Sequence, residues 1–185
     1  MALIAELIAA CWVVWVVTWI VTAVVFRPAS ADARPQGRVR RRSLRLIITI
    51  GVLIAVSTRH AGALTFGDGV RAVGVVLCAA GVGVAIWARL CLGRNWGMPM
   101  SVRGAPTLVR SGPYRYVRHP IYSGVLLMIV GTALASGPVW LVAVAGAAAY
   151  FVVSLRVEEA DMAALFPDDY PQYAAHTKRL VPFVY

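Results

Sequence analysis

Two short clusters of polar side chains interrupt a chain that is 60% hydrophobic and 14% charged. The first is Arg110–Gly124 (RSGPYRYVRHPIYSG), which lies between two apolar segments. The second is Arg156–Glu159 (RVEE), which follows a later apolar segment. Pro113 and Pro120 resist helix formation, so the first cluster is predicted to be a loop or a broken helix. Irregular backbone at a membrane boundary persists only where it is buried in protein or lines a cavity, which makes this cluster a predicted ligand site.

Together the clusters offer cations, carboxylates, tyrosine faces and backbone donors around Gly112. Carboxylates and tyrosine rings favour a cation, whereas arginines and free N–H groups favour a carboxylate. A zwitterionic or sulfonium-bearing cofactor suits this mixture. The sequence has no dinucleotide or P-loop glycine pattern, no HExxH and no Gly-x-Ser-x-Gly, so those sites are excluded by pattern. Cys11, Cys78 and Cys91 form no CxxC pair, and no metal site is predicted.

The fold class predicted from hydropathy is an all-α integral membrane protein in one domain, 1–185. Five apolar segments are predicted to span the membrane. Ser136, Gly137 and Pro138 form a predicted tight turn, so the fourth and fifth spans make a hairpin that brings the two clusters together. The helix of the fifth span is predicted to continue over Arg156–Leu165. The spans are Leu3–Phe26, Leu46–Thr58, Val70–Leu92, Ile121–Ala135 and Val139–Leu155.

The basic residues predict the orientation of the chain. The net charge is +10, and of the 18 Lys and Arg residues only Arg59 and Arg71 lie on the side opposite the clusters. The positive-inside rule therefore places the N-terminus outside and the clusters and tail in the cytoplasm. Because the arginines lie in loops between apolar runs, anionic membrane lipids are the predicted partner, and nucleic acid is not.

From the residues alone, a structural alternative competes with a ligand site. Arg118 and Arg156 could simply pair with Glu158 and Glu159 and hold the helix ends in place.

A combined motif in the two clusters resembles the isoprenylcysteine carboxyl methyltransferase family, and related bacterial membrane methyltransferases and phospholipid N-methyltransferases share it. The resemblance covers Val70–Tyr185. Its first half consists of Leu108, Val109, Ser111, Gly112, Pro113, Tyr114, Arg118, His119, Pro120, Tyr122 and Gly124. Its second half consists of Arg156, Glu158, Glu159, Phe166, Tyr170, Tyr173, Arg179, Pro182 and Phe183.

The resemblance implies a membrane enzyme that uses S-adenosylmethionine, with a methyltransferase core over 70–185 and two variable spans over 1–69. The cofactor site is then formed by the loop before the fourth span and by the C-terminal tail. Pro106 departs from the family, whose members often have a polar residue there. The implied cofactor-binding residues are Thr107, Leu108, Val109, Gly112, Tyr114, His119, Pro120, Tyr122 and Glu158.

The acceptor-side residues predicted to act in catalysis are Arg156, Arg118 and Glu159. A carboxylate acceptor is already ionised and would be held by Arg156 or Arg118. A thiol or an amine acceptor would have to lose a proton, for which His119, Glu158 and Glu159 are the candidate bases. The sequence leaves these possibilities open.

The predicted function is S-adenosylmethionine-dependent methylation of a lipidic or isoprenoid-linked acceptor that enters from the bilayer, such as carboxyl O-methylation. Phospholipid N-methylation and thiol methylation are the alternatives within this chemistry. Outside it, the competing functions are a reductase similar to the sterol reductases and a non-enzymatic membrane scaffold or transport subunit. The predicted location is a bacterial inner membrane.

Overall fold

The computed structural model describes residues 2–26, 65–95 and 107–185, and in these ranges the protein is helical. Three short 3-10 turns lie at Gly93–Asn95, Gly112–Arg115 and Pro138–Trp140. The only β pairing in the described ranges is an isolated parallel bridge between Val117 and Lys178. The predicted all-α class is therefore confirmed. The helices are α1 (Ala2–Val25), α2 (Asp68–Leu92), α3 (Pro120–Ser136), α4 (Leu141–Leu165) and α5 (Asp169–His176).

Three segments of the described chain are long and apolar enough to cross a membrane, namely α1, α2 and Pro138–Leu165. Helix α3 is apolar but has only 17 residues. Four of the five predicted spans thus coincide with helices. The other, Leu46–Thr58, lies outside the described residues, so the count of five stays a prediction.

Helices α1 and α2 run in the same direction. Arg89, near the end of α2, is fully buried, and its Nη2 donates to the carbonyl of Thr22, near the end of α1, at 3.1 Å. Its Nη1 donates to the carbonyl of Gly93 at 2.9 Å. One guanidinium therefore stabilises the negative ends of two helix dipoles. Phe26 and Thr65 consequently lie at opposite ends of the bundle.

Helices α2 and α3 pack against each other closely through facing glycines. A Cβ added at Gly81 would lie 2.6 Å from the carbonyl oxygen of Gly124, and one added at Gly124 would lie 2.7 Å from that of Gly81. Gly74 likewise meets the backbone of Gly131. In lipid the hydrophobic effect does not drive helices together, and small residues let their backbones pack closely instead. Gly74, Cys78, Gly81 and Ala85, which recur at helical spacing along α2, all lie at this close contact.

The α3–α4 hairpin is present as predicted. Gly137 adopts φ 127°, which a residue with a side chain rarely adopts, and the turn Pro138–Trp140 leads into α4. The buried side chains between the two helices are Val125, Ile129, Ala133, Ala143, Ala147 and Phe151.

Beyond the apolar part, α4 continues to Leu165, which confirms the predicted extension over Arg156–Leu165. This extension carries the RVEE cluster past the beginning of α3. The following helix, α5, was not predicted from the sequence. It buries Tyr170 and Tyr173, which lie one helical turn apart.

Candidate functional site

The two polar clusters meet at the open end of the α3–α4 hairpin. His119 directly precedes α3, which begins at Pro120, and proline is well suited to the first helical position because its missing N–H is not needed there. Tyr122 lies in the first turn of α3, and its hydroxyl donates to Oε1 of Glu158. Nδ1 of His119 lies 3.6 Å from Oε2 of the same carboxylate. Both oxygens of Glu158 therefore face the first cluster.

The ring of Tyr122 is held in a stack of aromatic side chains. It lies 4.7 Å from the ring of Phe151 at an interplanar angle of 21°, and 5.8 Å from the imidazole of His119 at 18°. Phe151 is fully buried, so it provides a fixed base for the stack. The hydroxyl of Tyr122 thus has little freedom to leave Glu158. The Glu158 side chain remains 45% exposed, which leaves this carboxylate accessible to a ligand.

Glu159 points into a different environment from its neighbour. Its side chain is only 13% exposed and lies between two guanidinium groups. Arg118 Nε donates to Oε1 at 2.9 Å, and Arg179 Nη2 lies 2.9 Å from Oε2. The hydrogen bond with Glu159 raises the pKa of the Arg179 guanidinium, which remains charged. Nε2 of His119 is 3.5 Å from Oε1 of Glu159 but is buried without a hydrogen bond.

Residues 177–180, named here the tail segment, fix the backbone of the first cluster. The amide of Arg118 donates to the carbonyl of Lys178 at 2.7 Å, and the amide of His119 donates to that of Arg179 at 3.0 Å. The hydroxyl of Ser123 donates to the carbonyl of Leu180. Arg118 also donates through Nη1 to the carbonyls of Ala174, at 2.9 Å, and Thr177. Nε and Nη1 of Arg118 are thus both engaged inside the protein.

Tyr114 and Gly112 lie in the 3-10 turn before the site. Gly112 has φ 60°, and a Cβ there would lie 2.6 Å from Sγ of Cys91, so only glycine fits this turn. The carbonyl of Tyr114 accepts a hydrogen bond of 2.6 Å from the hydroxyl of Tyr173. Burial raises the pKa of the Tyr114 phenol and raises that of Tyr173 to about 12. Both phenols therefore stay protonated at neutral pH.

The remaining predicted residues differ in burial and in their own contacts. Thr107 is exposed and its Oγ1 accepts a bond of 3.3 Å from Asn95, while Leu108 and Val109 are half-buried. Pro120 is fully buried. Arg156 is exposed and forms no ion pair with any described residue. Pro106 lies outside the described ranges.

The alternative to a ligand site was that Arg118 and Arg156 pair with Glu158 and Glu159. The Arg118–Glu159 pair is present, whereas Arg156 forms no ion pair with any described residue. Arg179 was present in the sequence motif but was not among the predicted site residues. Its signal was the spacing of the second half of that motif, which included the residue without indicating its partner. Among the described residues, no group of three or more His, Cys, Asp or Glu side chains could hold a metal ion.

Comparison with known proteins defines the class to which this helical membrane protein belongs. The family model for phospholipid methyltransferases matches residues 70–169, which is more than half of the chain. The chain therefore belongs to the phospholipid methyltransferase family. Its membership in a family of membrane methyltransferases is what the sequence motif predicted.

Curated relatives are similar over parts of their length. The chain is 32% identical over 140 residues to the cobalt-zinc-cadmium resistance protein CzcN of Cupriavidus metallidurans, covering 72% of this chain and 63% of that protein. It is 36% identical over 70 residues to a methanethiol S-methyltransferase of Mycobacterium tuberculosis, covering 38% of this chain and 28% of the relative. The chain thus spans less than two thirds of these proteins.

A solved structure shares the fold. The eukaryotic intramembrane Ras methyltransferase (isoprenylcysteine carboxyl methyltransferase) matches with a TM-score of 0.60 over 88% of this chain and 60% of that chain. Sequence identity is 18%, so this likeness concerns the fold alone.

Proposed function

We propose that the protein is an S-adenosylmethionine-dependent methyltransferase whose acceptor is a lipid-soluble molecule that reaches the site from the bilayer. The observation that carries the proposal is the half-exposed carboxylate of Glu158, held by Tyr122 beside His119 at the end of a membrane hairpin. An ionisable group kept accessible at such a place in a membrane protein is a functional candidate by default.

The donor set around Glu158 fits S-adenosylmethionine. A carboxylate with two nearby aromatic rings suits a sulfonium or ammonium cation and can also accept from ribose hydroxyls. Tyr122 and the imidazole of His119, whose rings lie 5.8 Å apart, supply those rings, and Tyr114 is included because the sequence motif implies it. Glu158, Tyr122, His119 and Tyr114 would hold the cofactor. When bound, it supplies an electrophilic methyl group.

The residues of this chain would contribute mainly by positioning. Holding two reactants in line can account for about 7–11 kcal/mol of a barrier. The aromatic stack of His119, Tyr122 and Phe151 fixes Glu158 from the α3 side, and the tail segment fixes His119 through its amide. No residue in this arrangement has to move for Glu158 to face a ligand.

On the acceptor side, we propose Arg156 as the group that contacts an anionic acceptor. Arg118 and Arg179 both donate to Glu159, whereas Arg156 is exposed one turn before it on the same helix. Arg118 and Glu159 would then act on the acceptor only indirectly, by holding the loop that carries His119. This role refines the sequence-based expectation of direct contact.

A second candidate acceptor is a small thiol. Three of the curated relatives are methanethiol S-methyltransferases, with 32–36% identity over 70 or 71 residues. A thiol must lose its proton to become a nucleophile. Of the three candidate bases, Glu158 has the most exposed side chain, at 45%, whereas His119 is 10% exposed and Glu159 is enclosed by two arginines.

Binding of radiolabelled S-adenosylmethionine to the protein in lipid nanodiscs tests the cofactor assignment. We expect the wild type to bind and Glu158→Gln to lose most of the affinity. Asp161→Asn is the matched control, since Asp161 is an exposed carboxylate on the same helix. If all three proteins bind equally, or if none binds although each is folded, the proposal fails.

The acceptor is identified by incubating the protein with methyl-labelled cofactor and either a lipid extract or methanethiol. Label in an extracted lipid supports the first candidate, and labelled dimethyl sulfide supports the second. We further propose that the site faces the cytoplasm of a bacterial cell, where the cofactor is made.

A further inference from the structure

Residues 180–185, named here the tail loop, form a closed turn outside the helices. The amides of Leu180 and Val181 both donate to the carbonyl of Tyr185 at 2.7 Å, and the amide of Tyr185 donates back to the carbonyl of Val181 at 3.1 Å. Phe183 at the tip has φ 66°. A bulky residue in the left-handed region is a genuine outlier that surrounding contacts must hold in place. The loop is therefore an ordered element.

The tail loop presents apolar side chains outward. Phe183 is 88% exposed, Val184 74% and Val181 47%. Leu180 alone is buried, at 7%, and it attaches the loop to the protein. Ordered, contiguous apolar exposure of this kind marks an interaction surface. In this loop the backbone conformation itself holds the largest apolar side chain away from the protein.

The position of the loop indicates what covers this surface. The hydroxyl of Ser123 donates to the carbonyl of Leu180, and Ser123 lies in the first turn of α3, an apolar helix of the membrane bundle. The loop thus lies at the N-terminal end of that helix. Two exposed cations, Lys178 and Arg115, lie close by, because Lys178 pairs with Val117. Basic residues beside exposed apolar ones are the pattern that binds anionic membrane surfaces.

We propose that the tail loop is a membrane-surface anchor, in which Phe183 and Val184 enter the boundary between headgroups and acyl chains of an anionic leaflet. The proposal does not depend on the methyl acceptor or on the cofactor. It gives the loop a partner of defined chemistry, the bilayer that already surrounds α1 to α4.

A short series of hydrogen bonds connects the tail loop to the residues around Glu158. Arg179 directly precedes the tail loop and binds both oxygens of Glu159 through Nε, at 3.1 and 3.0 Å. Its Nη1 donates to the hydroxyl of Tyr185 at 3.3 Å, and its carbonyl accepts from the amide of His119. Contact with lipid therefore stabilises the arrangement that presents His119 to Glu158. A lipid-soluble acceptor would then reach a site that the surrounding lipid has already ordered.

Site-directed fluorescence in nanodiscs of phosphatidylglycerol tests the proposal. Phe183→Cys and Val184→Cys are made separately in a background of Cys11→Ala, Cys78→Ala and Cys91→Ala, and each is labelled with an environment-sensitive probe. Ala175→Cys is the control, because Ala175 is exposed on α5. We expect blue-shifted emission from the 183 and 184 probes, quenching by brominated lipid, and protection from aqueous iodide. The 175 probe should respond to iodide only.

The two label positions protect the test from a local folding defect at the strained residue 183. If the 183 and 184 probes both emit and quench like the 175 probe, the loop lies in water and the proposal is overturned. A Lys178→Glu variant of the labelled proteins tests the charge contribution. We expect its probes to lose part of their protection from iodide. Unchanged protection would overturn the part of the proposal in which Lys178 binds anionic lipid.

Discussion

The hydroxyl of Tyr122 and the carboxylate of Glu158, 36 residues apart in sequence, are joined by a hydrogen bond across the α3–α4 hairpin. This bond forms because α4 continues beyond the apolar part of the hairpin and carries Glu158 to the first turn of α3. It orients the most accessible carboxylate of the site. It is also the contact whose loss should affect ligand binding more than folding.

Tyr122→Phe is expected to weaken S-adenosylmethionine binding while the protein stays folded. The ring stack with His119 and Phe151 is retained, but Glu158 loses its orienting donor. A hydrogen bond to a charged group contributes about 1.5–3 kcal/mol, which corresponds to a loss of about 10- to 100-fold in affinity. Equilibrium dialysis measures the loss. Tyr116→Phe, which removes the hydroxyl of a 47% exposed tyrosine, should bind normally; equal affinity of all three proteins would contradict the prediction.

Glu159→Gln is expected to destabilise the protein. The substitution leaves Arg118, which is 10% exposed, and the partly exposed Arg179 without a counter-charge. Removing one partner of a buried pair costs about 3–5 kcal/mol, and the exposure of Arg179 reduces this to about 2–3 kcal/mol. Thermal unfolding in detergent measures the change. Asp169→Asn removes an exposed pair with Arg110 and should change stability by less than about 1 kcal/mol. Similar values for the two variants would refute a structural role for Glu159.

Gly81→Ala is expected to weaken the packing of α2 on α3. Its Cβ would lie 2.6 Å from the carbonyl oxygen of Gly124, so the helices must separate, and overpacking of this kind costs about 1–3 kcal/mol. Gly83→Ala, two residues away on the same helix, meets no atom within 4 Å and should be neutral or slightly stabilising. Unfolding temperatures of the two variants provide the comparison, and a tolerated Gly81→Ala would contradict the observed interface.

Arg156→Gln is expected to lower methyl transfer without lowering stability. Arg156 is exposed and has no ion pair in the described chain, so folding loses nothing with its charge. If it contacts an anionic acceptor, KM for that acceptor should rise while S-adenosylmethionine affinity stays unchanged. For a thiol acceptor the substitution should have no effect. Loss of S-adenosylmethionine affinity would instead indicate that Arg156 contacts the cofactor rather than the acceptor.

The predicted topology can be tested with reporter fusions. A reporter that is active only in the cytoplasm, fused after Tyr185, should be active, because the basic residues of the loops and tail favour that side. A reporter fused before Ala2 should be inactive for the same reason. The opposite pair of results would place the site away from the cytoplasmic cofactor supply and remove the proposed orientation.

Much of the architecture could be read from the sequence because it depends on local patterns. Apolar length indicated the helices, and small residues at helical spacing indicated that α2 packs closely on another helix, without indicating which one. The short turn at Gly137 predicted the hairpin, and the hairpin brought Glu158 to Tyr122. Each of these inferences required only a rule about neighbouring residues.

The contacts of the tail could not be read in the same way. The tail segment holds His119 and Arg118 by backbone hydrogen bonds, which leave no side-chain signature. Helix α5 has eight residues, with Pro171 inside it, and is too short for a clear period. Arg89 was counted as a basic residue near a loop, yet it is fully buried within α2, because its partners are carbonyls that the sequence does not mark.

The tail segment also determines when the site can form during biosynthesis. Ribosomes make α1 to α4 before residues 177–180, so the apolar helices can enter the membrane while Glu159 still lacks Arg179 and the amide of His119 still lacks its acceptor. A nascent chain halted at Leu165 would therefore carry the apolar helices but lack the contacts that hold His119 and Glu159. Membrane insertion of the helices and completion of the proposed site are then two separate events, and the second requires residues 177–180.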